Sequence, residues 1–165
     1  MSEIVLCRVD SRLIHGQVVT KWLQQSGANE IFVVSDELEQ DEFLKSIYLM
    51  AAPPGVEVKT YGVKSAIDYW QNEAAQVNSK VLFLVPDLTT IEAMVGAGII
   101  TKDIQVGGLG GGPDRKNILK NINLSADDVA SLERMLVKEM NIFFQAIPED
   151  APIEMSKLIE KFKSL

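Results

Sequence analysis

The chain has 165 residues, of which 47% are hydrophobic and 24% charged, values typical of one ordinary globular domain. Its formal net charge of −7 argues against nonspecific binding to nucleic acid. No apolar run approaches the roughly 20 residues that span a bilayer, and the first residues lack the basic region of a secretory signal. The sequence therefore predicts a cytoplasmic protein with a single domain over residues 1–165.

Strand-like and helix-like patterns alternate along the chain. Apolar runs predict strands over residues 4–9, 30–34, 56–61, 81–85, 104–106 and 141–147, and a weaker strand over about 117–124. Helical periodicity lies between these runs, and a final amphipathic helix is predicted over about 153–162. This alternation is typical of the α/β class. We expect a single-domain, open, mainly parallel sheet of about seven strands with helices on both faces.

Two of the predicted helices carry specific expectations. In the second helical region, four apolar residues with helical spacing predict a stripe buried against the sheet: Phe43, Leu44, Ile47 and Met50. Further on, the segment from Ser125 to Asp128 resembles a capping box, with aspartate in place of the usual glutamate. A helix is therefore predicted to start there.

The single cysteine and the single histidine restrict metal and redox chemistry. Cys7 lies inside the first predicted strand, where a buried and inert thiol is expected. No convincing zinc ligand set is present, so no metal or cofactor is predicted. The glycine-rich segment 107–113 lacks both the GxGxxG spacing and the lysine of a P-loop. It is interpreted either as a mobile loop beside the functional site or as a plain connection between strands.

The most informative segment runs Arg8-Val9-Asp10-Ser11-Arg12-Leu13-Ile14-His15-Gly16-Gln17. It joins the first predicted strand to the first predicted helix, and in open α/β sheets ligands bind at such strand ends. A neutral imidazole can act as a nucleophile, while arginines and a helix N-terminus suit a phosphoryl group. The alternative is a surface or structural histidine. The clustering of Arg8, Asp10 and Arg12 around His15 favours a functional site.

Each neighbour of this histidine has a predicted role. Arg8 and Arg12 stabilise phosphoryl oxygens, and Asp10 holds the ring nitrogen that does not react. The backbone amides of residues 13–17 form an anion-binding nest, in which Gly16 allows a close approach of the backbone. The predicted phosphate-binding set is therefore Arg8, Asp10, Arg12, Gly16 and Gln17, around His15 as the catalytic residue.

The same segment resembles the phosphorylation-site loop of the IIB components of the mannose/fructose/sorbose class of the bacterial phosphoenolpyruvate-dependent sugar phosphotransferase system. The similarity continues through residues 33–37, 41–43, 50–56, 106–108 and 145–150, and so extends over essentially the whole chain. The chain departs from the family pattern in two places. Ser11 stands where an acidic residue is common, and the segment 109–114 is richer in glycine than expected.

The resemblance implies a phosphocarrier of the protein-Nπ-phosphohistidine–sugar phosphotransferase type that needs no cofactor. It implies that His15 accepts a phosphoryl group on Nδ1 from a phosphorylated IIA protein. The group then passes to a sugar during transport through membrane IIC and IID partners, which hold the domain at the inner face of the membrane. Two alternatives stay open: a regulatory phosphohistidine module, and a small-ligand-binding α/β domain without turnover. The sugar and the formation of a homo-oligomer are also left open.

Overall fold

The computed structural model describes all residues from Met1 to Leu165. The strands are β1 Glu3–Asp10, β2 Glu30–Val34, β3 Glu57–Tyr61, β4 Lys80–Val85, β5 Asp103–Gly108, β6 Lys116–Leu119, β7 Ile122–Leu124, β8 Asn141–Phe144 and β9 Ile153–Glu154. The helices are α1 Val18–Ser26, α2 Asp36–Gln40, α3 Glu42–Met50, α4 Val63–Asn72, α5 Leu88–Gly96, α6 Ala126–Val137 and α7 Met155–Ser164. A short 3-10 turn, Ala74–Gln76, follows α4.

Seven strands form one open sheet in the order β3-β2-β4-β1-β5-β8-β9. Every neighbouring pair is parallel except β8 and β9. The predicted fold class is therefore confirmed. β1 lies in the middle of the sheet, and its last residue, Asp10, is paired with Gly108 at the end of β5. The loops that follow β1 and β5 consequently leave the same edge of the sheet side by side.

Helices cover both faces of this sheet, as predicted. On one face, α1 and α2 bury Trp22 and Leu38 against β2 and β4. On the other face, α4, α5, α6 and α7 pack on the larger part of the core. The strands alternate their side chains between the two faces, so in β1 Cys7 and Val9 belong to the larger core. Cys7 is buried as expected, and its burial raises the pKa of the thiol.

The strands differ from the prediction in two regions of the chain. The weak strand at about 117–124 is a separate antiparallel hairpin of β6 and β7, joined by a turn in which Asn121 adopts a positive φ of 66°. The seventh strand of the sheet is instead β9, two residues long and antiparallel to β8. The sequence pattern had assigned residues 153 and 154 to the last helix. A strand this short carries too few residues to show an alternating pattern.

The predicted buried stripe on α3 is wrong. Phe43 and Met50 are 77% and 85% exposed, Ile47 is 46% exposed, and α3 contains no fully buried residue. Only Leu44 and Tyr48 of this helix pack, partly buried, against the smaller core. The apolar spacing correctly predicted a helix, but its apolar face is turned away from the sheet. By contrast, the capping box of α6 is present as predicted.

Candidate functional site

The loop between β1 and α1 brings His15 to the carboxyl edge of the sheet. Two of its residues, Leu13 and Gly16, adopt left-handed backbone conformations with φ values of 56° and 51°. Leucine rarely adopts this conformation, and here its side chain is buried in the smaller core, which anchors the loop. The imidazole of His15 is 21% exposed, so it can be reached from solvent.

Asp10 is the centre of the site. Its carboxylate is fully buried and accepts hydrogen bonds from three directions. The Nε2 atom of His15 lies 3.1 Å from Oδ2. Arg12 donates through Nε and Nη2 at 3.1 and 3.2 Å and through its backbone amide at 3.0 Å. Arg8 donates through Nη2 to Oδ2 at 3.3 Å. The carboxylate therefore orients both the histidine and one arginine.

These contacts keep Asp10 ionised. Burial alone would raise the pKa of the carboxyl, but the hydrogen bonds from Arg12 and His15 and the charge of Arg8 outweigh it, and the pKa lies below its ordinary value. Because an ionised carboxylate only accepts hydrogen bonds, a neutral imidazole at His15 carries its proton on Nε2 and donates it to Asp10. The Nδ1 atom is then the unprotonated ring nitrogen and carries the free electron pair.

Arg8 lies behind Asp10 and not in the open part of the site. Its side chain is 1% exposed, and it donates to the Oε1 atom of Gln105 and to the backbone oxygens of Gln145 and Ala146. The guanidinium also stacks over the ring of Trp22 at 5.4 Å. This buried position favours a role for Arg8 in holding Asp10, and the predicted direct contact of Arg8 with a phosphoryl group stays a prediction.

Arg12, Gly16 and Gln17 are at least partly exposed beside His15, and their predicted role in binding phosphate stays a prediction. The Arg12 side chain is 42% exposed, and its Nη1 atom has no hydrogen-bond partner in the protein. Gln17 is the N-cap of α1 but makes no capping hydrogen bond, whereas side chains cap α2, α3, α5 and α6. The backbone amides of residues 14–20 also have no acceptor within the protein. The amide of Leu13, by contrast, donates to the backbone oxygen of Asp10. A helix end of this kind can bind an anion.

The glycine-rich loop lies beside the His15 loop. The amide of Gly110 donates to the Ser11 hydroxyl at 3.1 Å, and the amide of Ser11 donates to the Gly108 oxygen at 3.0 Å. Arg115, which follows this loop, is paired with Asp128 at 3.2 Å. Its Nη1 atom also donates to the Gly110 oxygen. This loop is therefore tied down at both ends and forms one wall of the site.

Gly107 is required by the packing of Arg8. A methyl group at this position would overlap the guanidinium of Arg8, which four hydrogen-bond acceptors hold in place. We expect Gly107→Ala to lower the free energy of unfolding by about 1–3 kcal/mol, the usual cost of overpacking a core. Gly111→Ala is the matched control, because nothing lies within 4 Å of that position. Chemical denaturation of both variants measures the difference, and equal stabilities would show that Arg8 moves aside freely.

Sequence considerations missed Gln105 and the two carbonyl groups at residues 145 and 146. Gln105 stands between Ile104 and Val106 in a strand that is otherwise buried, and a buried polar side chain needs a partner. That position was the signal that could have located the partner of Arg8. The backbone carbonyl groups leave no such signal in a sequence. No group of three or more histidine, cysteine, aspartate or glutamate side chains is placed to hold a metal ion.

This geometry defines an α/β protein with a partly exposed histidine, hydrogen-bonded to a buried aspartate, beside an uncapped helix N-terminus. The chain matches the family described as the PTS system sorbose subfamily IIB component over residues 4–165. It belongs to that family, whose members are phosphocarriers of sugar transport.

Individual relatives agree with this assignment. The sorbose-specific EIIB component of Lacticaseibacillus casei is 34% identical over 96% of this chain and 97% of its own length. The mannose-specific EIIAB component of Escherichia coli is 28% identical over 96% of this chain but only 49% of its own length. The crystal structure of manxB from Thermoanaerobacter tengcongensis superposes with a TM-score of 0.90 at 37% identity, over 98% of both chains.

None of the helices combines the length and the apolar character needed to cross a bilayer.

Proposed function

We propose that residues 1–165 act as one phosphocarrier domain in which His15 carries the phosphoryl group on Nδ1. The hydrogen bond between Nε2 and the ionised Asp10 supports this assignment most directly, because it leaves Nδ1 as the nucleophile. The Nδ1 electron pair attacks the phosphorus of a phosphohistidine on the IIA donor, and the donor imidazole leaves. A sugar hydroxyl oxygen then attacks the same phosphorus, its proton is released, and His15 is regenerated.

The residues around His15 have different roles in this phosphoryl transfer. Arg12 and the free amides of residues 14–20 are available to phosphoryl oxygens, whose charge they stabilise. Asp10 orients the imidazole and Arg12. Arg8 acts through Asp10 and is a positioning residue, which replaces the direct phosphate contact expected from the sequence. Gly16 and Gln17 contribute backbone amides.

The proposed partners are a phosphorylated IIA protein and the membrane IIC and IID components. A single EIIAB chain in Escherichia coli joins the IIA and IIB functions, which supports the IIA partnership. The finer enzyme class is a protein-Nπ-phosphohistidine–sugar phosphotransferase. We place the domain at the cytoplasmic face of the membrane, held there by its transport partners.

Reconstitution tests this function. The chain is incubated with phosphoenolpyruvate, the two general phosphotransferase proteins and the cognate IIA protein, and then with membranes and a panel of sugars. We expect an acid-labile phosphate on His15 that disappears when the right sugar and membranes are added. A chain that takes no label would instead be a ligand-binding domain, and a label that no sugar removes would indicate a regulatory module.

Arg12 should affect transfer more than any other arginine on the open side. We expect Arg12→Ala to slow phosphorylation by about 10²-fold, because it removes charge stabilisation worth a few kcal/mol. Arg115→Ala is the control, since that guanidinium is occupied by Asp128. Rapid-quench measurement at a temperature well below both melting points separates catalysis from folding. Similar rates for Arg12→Ala and the native protein would remove Arg12 from the proposed mechanism.

A further inference from the structure

The side of α3 that faces away from the sheet carries most of the exposed large hydrophobic side chains of this protein. Seven large hydrophobic residues are exposed, and four of them lie on α3: Phe43, Ile47, Leu49 and Met50. Two of the other three are the chain ends, Met1 and Leu165. Phe43, Ile47 and Met50 are spaced so that they share one side of the helix. Such a concentration of exposed apolar side chains marks an interaction surface.

The helix that carries this stripe borders a cleft beside the His15 loop. On the inner side of α3, Leu44 and Tyr48 line a cleft of about 680 Å³, and Ser11 and Leu13 of the His15 loop line the same cleft. A helix with its side chains is about 10–12 Å across. A macromolecule that covers His15 can therefore also cross the cleft and contact α3.

The charge around the stripe is strongly negative. Within residues 36–50 there are five carboxylates and a single lysine, and none of them forms an ion pair in the structure: Asp36, Glu37, Glu39, Asp41, Glu42 and Lys45. Asp36 and Glu39 accept hydrogen bonds from the amides at the start of α4. Glu37 and Glu42 are exposed and have no hydrogen-bond partner. A partner that fits this surface is apolar at its centre and basic at its rim.

We propose that the α3 surface, formed by Phe43, Ile47 and Met50 with the acidic rim of Glu37 and Glu42, docks on the cytoplasmic loops of the membrane IIC and IID components. This inference rests on the proposed function. Cytoplasmic loops of membrane proteins are enriched in lysine and arginine, which complements the acidic rim. The bilayer itself is disfavoured, because its anionic headgroups repel carboxylates.

The charge distribution also predicts that the IIA donor and the membrane acceptor dock on different surfaces. Arg12 carries a partly exposed positive charge in the His15 loop, which favours an acidic phosphoryl donor. The donor and the membrane acceptor are thus expected to approach the histidine over different neighbouring surfaces. Changes on α3 should weaken docking to the membrane components and leave phosphorylation by IIA intact.

The test is co-sedimentation of the native protein, with no phosphoryl donor present, with vesicles that carry IIC and IID, compared with vesicles of the same lipids without them. Replacing Phe43 and Met50 together by serine should weaken binding at least about tenfold. Both side chains are exposed, so the fold should persist, and a melting curve checks this. Val137→Ser is the matched control, since Val137 is 83% exposed on α6 and should not affect docking.

A second variant tests the rim. Replacing Glu37 and Glu42 by lysine should also weaken docking and reduce its sensitivity to salt. The proposal is overturned if native protein does not sediment, if both variants bind as it does, or if bare lipid binds it equally. It is also overturned if the serine variant takes phosphate slowly from IIA, or if it loses a dimer that the native protein forms. If native protein docks but His15 takes no phosphate, the proposed function fails and the docking surface stands.

Discussion

Replacing His15 by alanine should abolish phosphorylation completely. The chain has no second histidine, and its only thiol, Cys7, is buried with a raised pKa. The imidazole is partly exposed and makes its one side-chain hydrogen bond to Asp10. The folded structure should therefore survive the loss of the ring, so that absent labelling reports on chemistry. The measurement is incorporation of phosphate from a phosphorylated IIA donor, followed by mass spectrometry.

Two further variants sharpen this result. His15→Gln keeps an amide that can donate to Asp10 but has no nucleophilic nitrogen, so it too should take no label. Cys7→Ala should be labelled at the native rate. Phosphate that remains in His15→Ala, or that survives acid, would place the phosphoryl group elsewhere in the chain.

Replacing Arg8 by methionine should destabilise the fold severely, by about 3–5 kcal/mol, the usual cost of breaking a buried ion pair. Methionine is similar in length, but it leaves Asp10 without its buried counter-ion. The carbonyl groups of Gln145 and Ala146 would also lose a donor. Chemical denaturation measures this change.

Arg134→Met is the matched control, because Arg134 pairs with Glu92 at the surface and is 59% exposed. Its melting temperature should fall far less than that of Arg8→Met. An Arg8→Met protein of native stability would show that the buried contact of Arg8 with Asp10 contributes little to the fold.

The position of the site was predictable because it follows from strand and helix alternation. The run before Arg8 and the helix pattern after Gln17 placed His15 on a loop at a strand end, and parallel strands fix which edge that is. The role of Arg8 was harder to predict, because proximity in sequence suggested a cluster around the histidine. In a strand, however, side chains alternate, and a charged residue inside a buried strand is directed by its cross-strand neighbours.

The exposure of the apolar stripe on α3 could not be predicted, for a different reason. Periodicity in Phe43, Ile47 and Met50 reports that one side of a helix is apolar, but not which molecule covers that side. The hairpin of β6 and β7 and the short strand β9 depend on long-range pairing, such as that of Ile153 with Phe144. A local pattern carries no information about such partners.

The close packing of Arg8 on Gly107 restricts the order in which these two positions can be substituted during evolution. Each residue fixes the other, because the guanidinium fills the space that any larger residue at 107 would need. A shorter side chain at position 8 would open that space, while an alanine at 107 that arises first meets the full obstruction. Replacement of Arg8 followed by replacement of Gly107 is therefore far easier than the reverse order. We expect larger residues at position 107 in related sequences that lack the arginine at position 8.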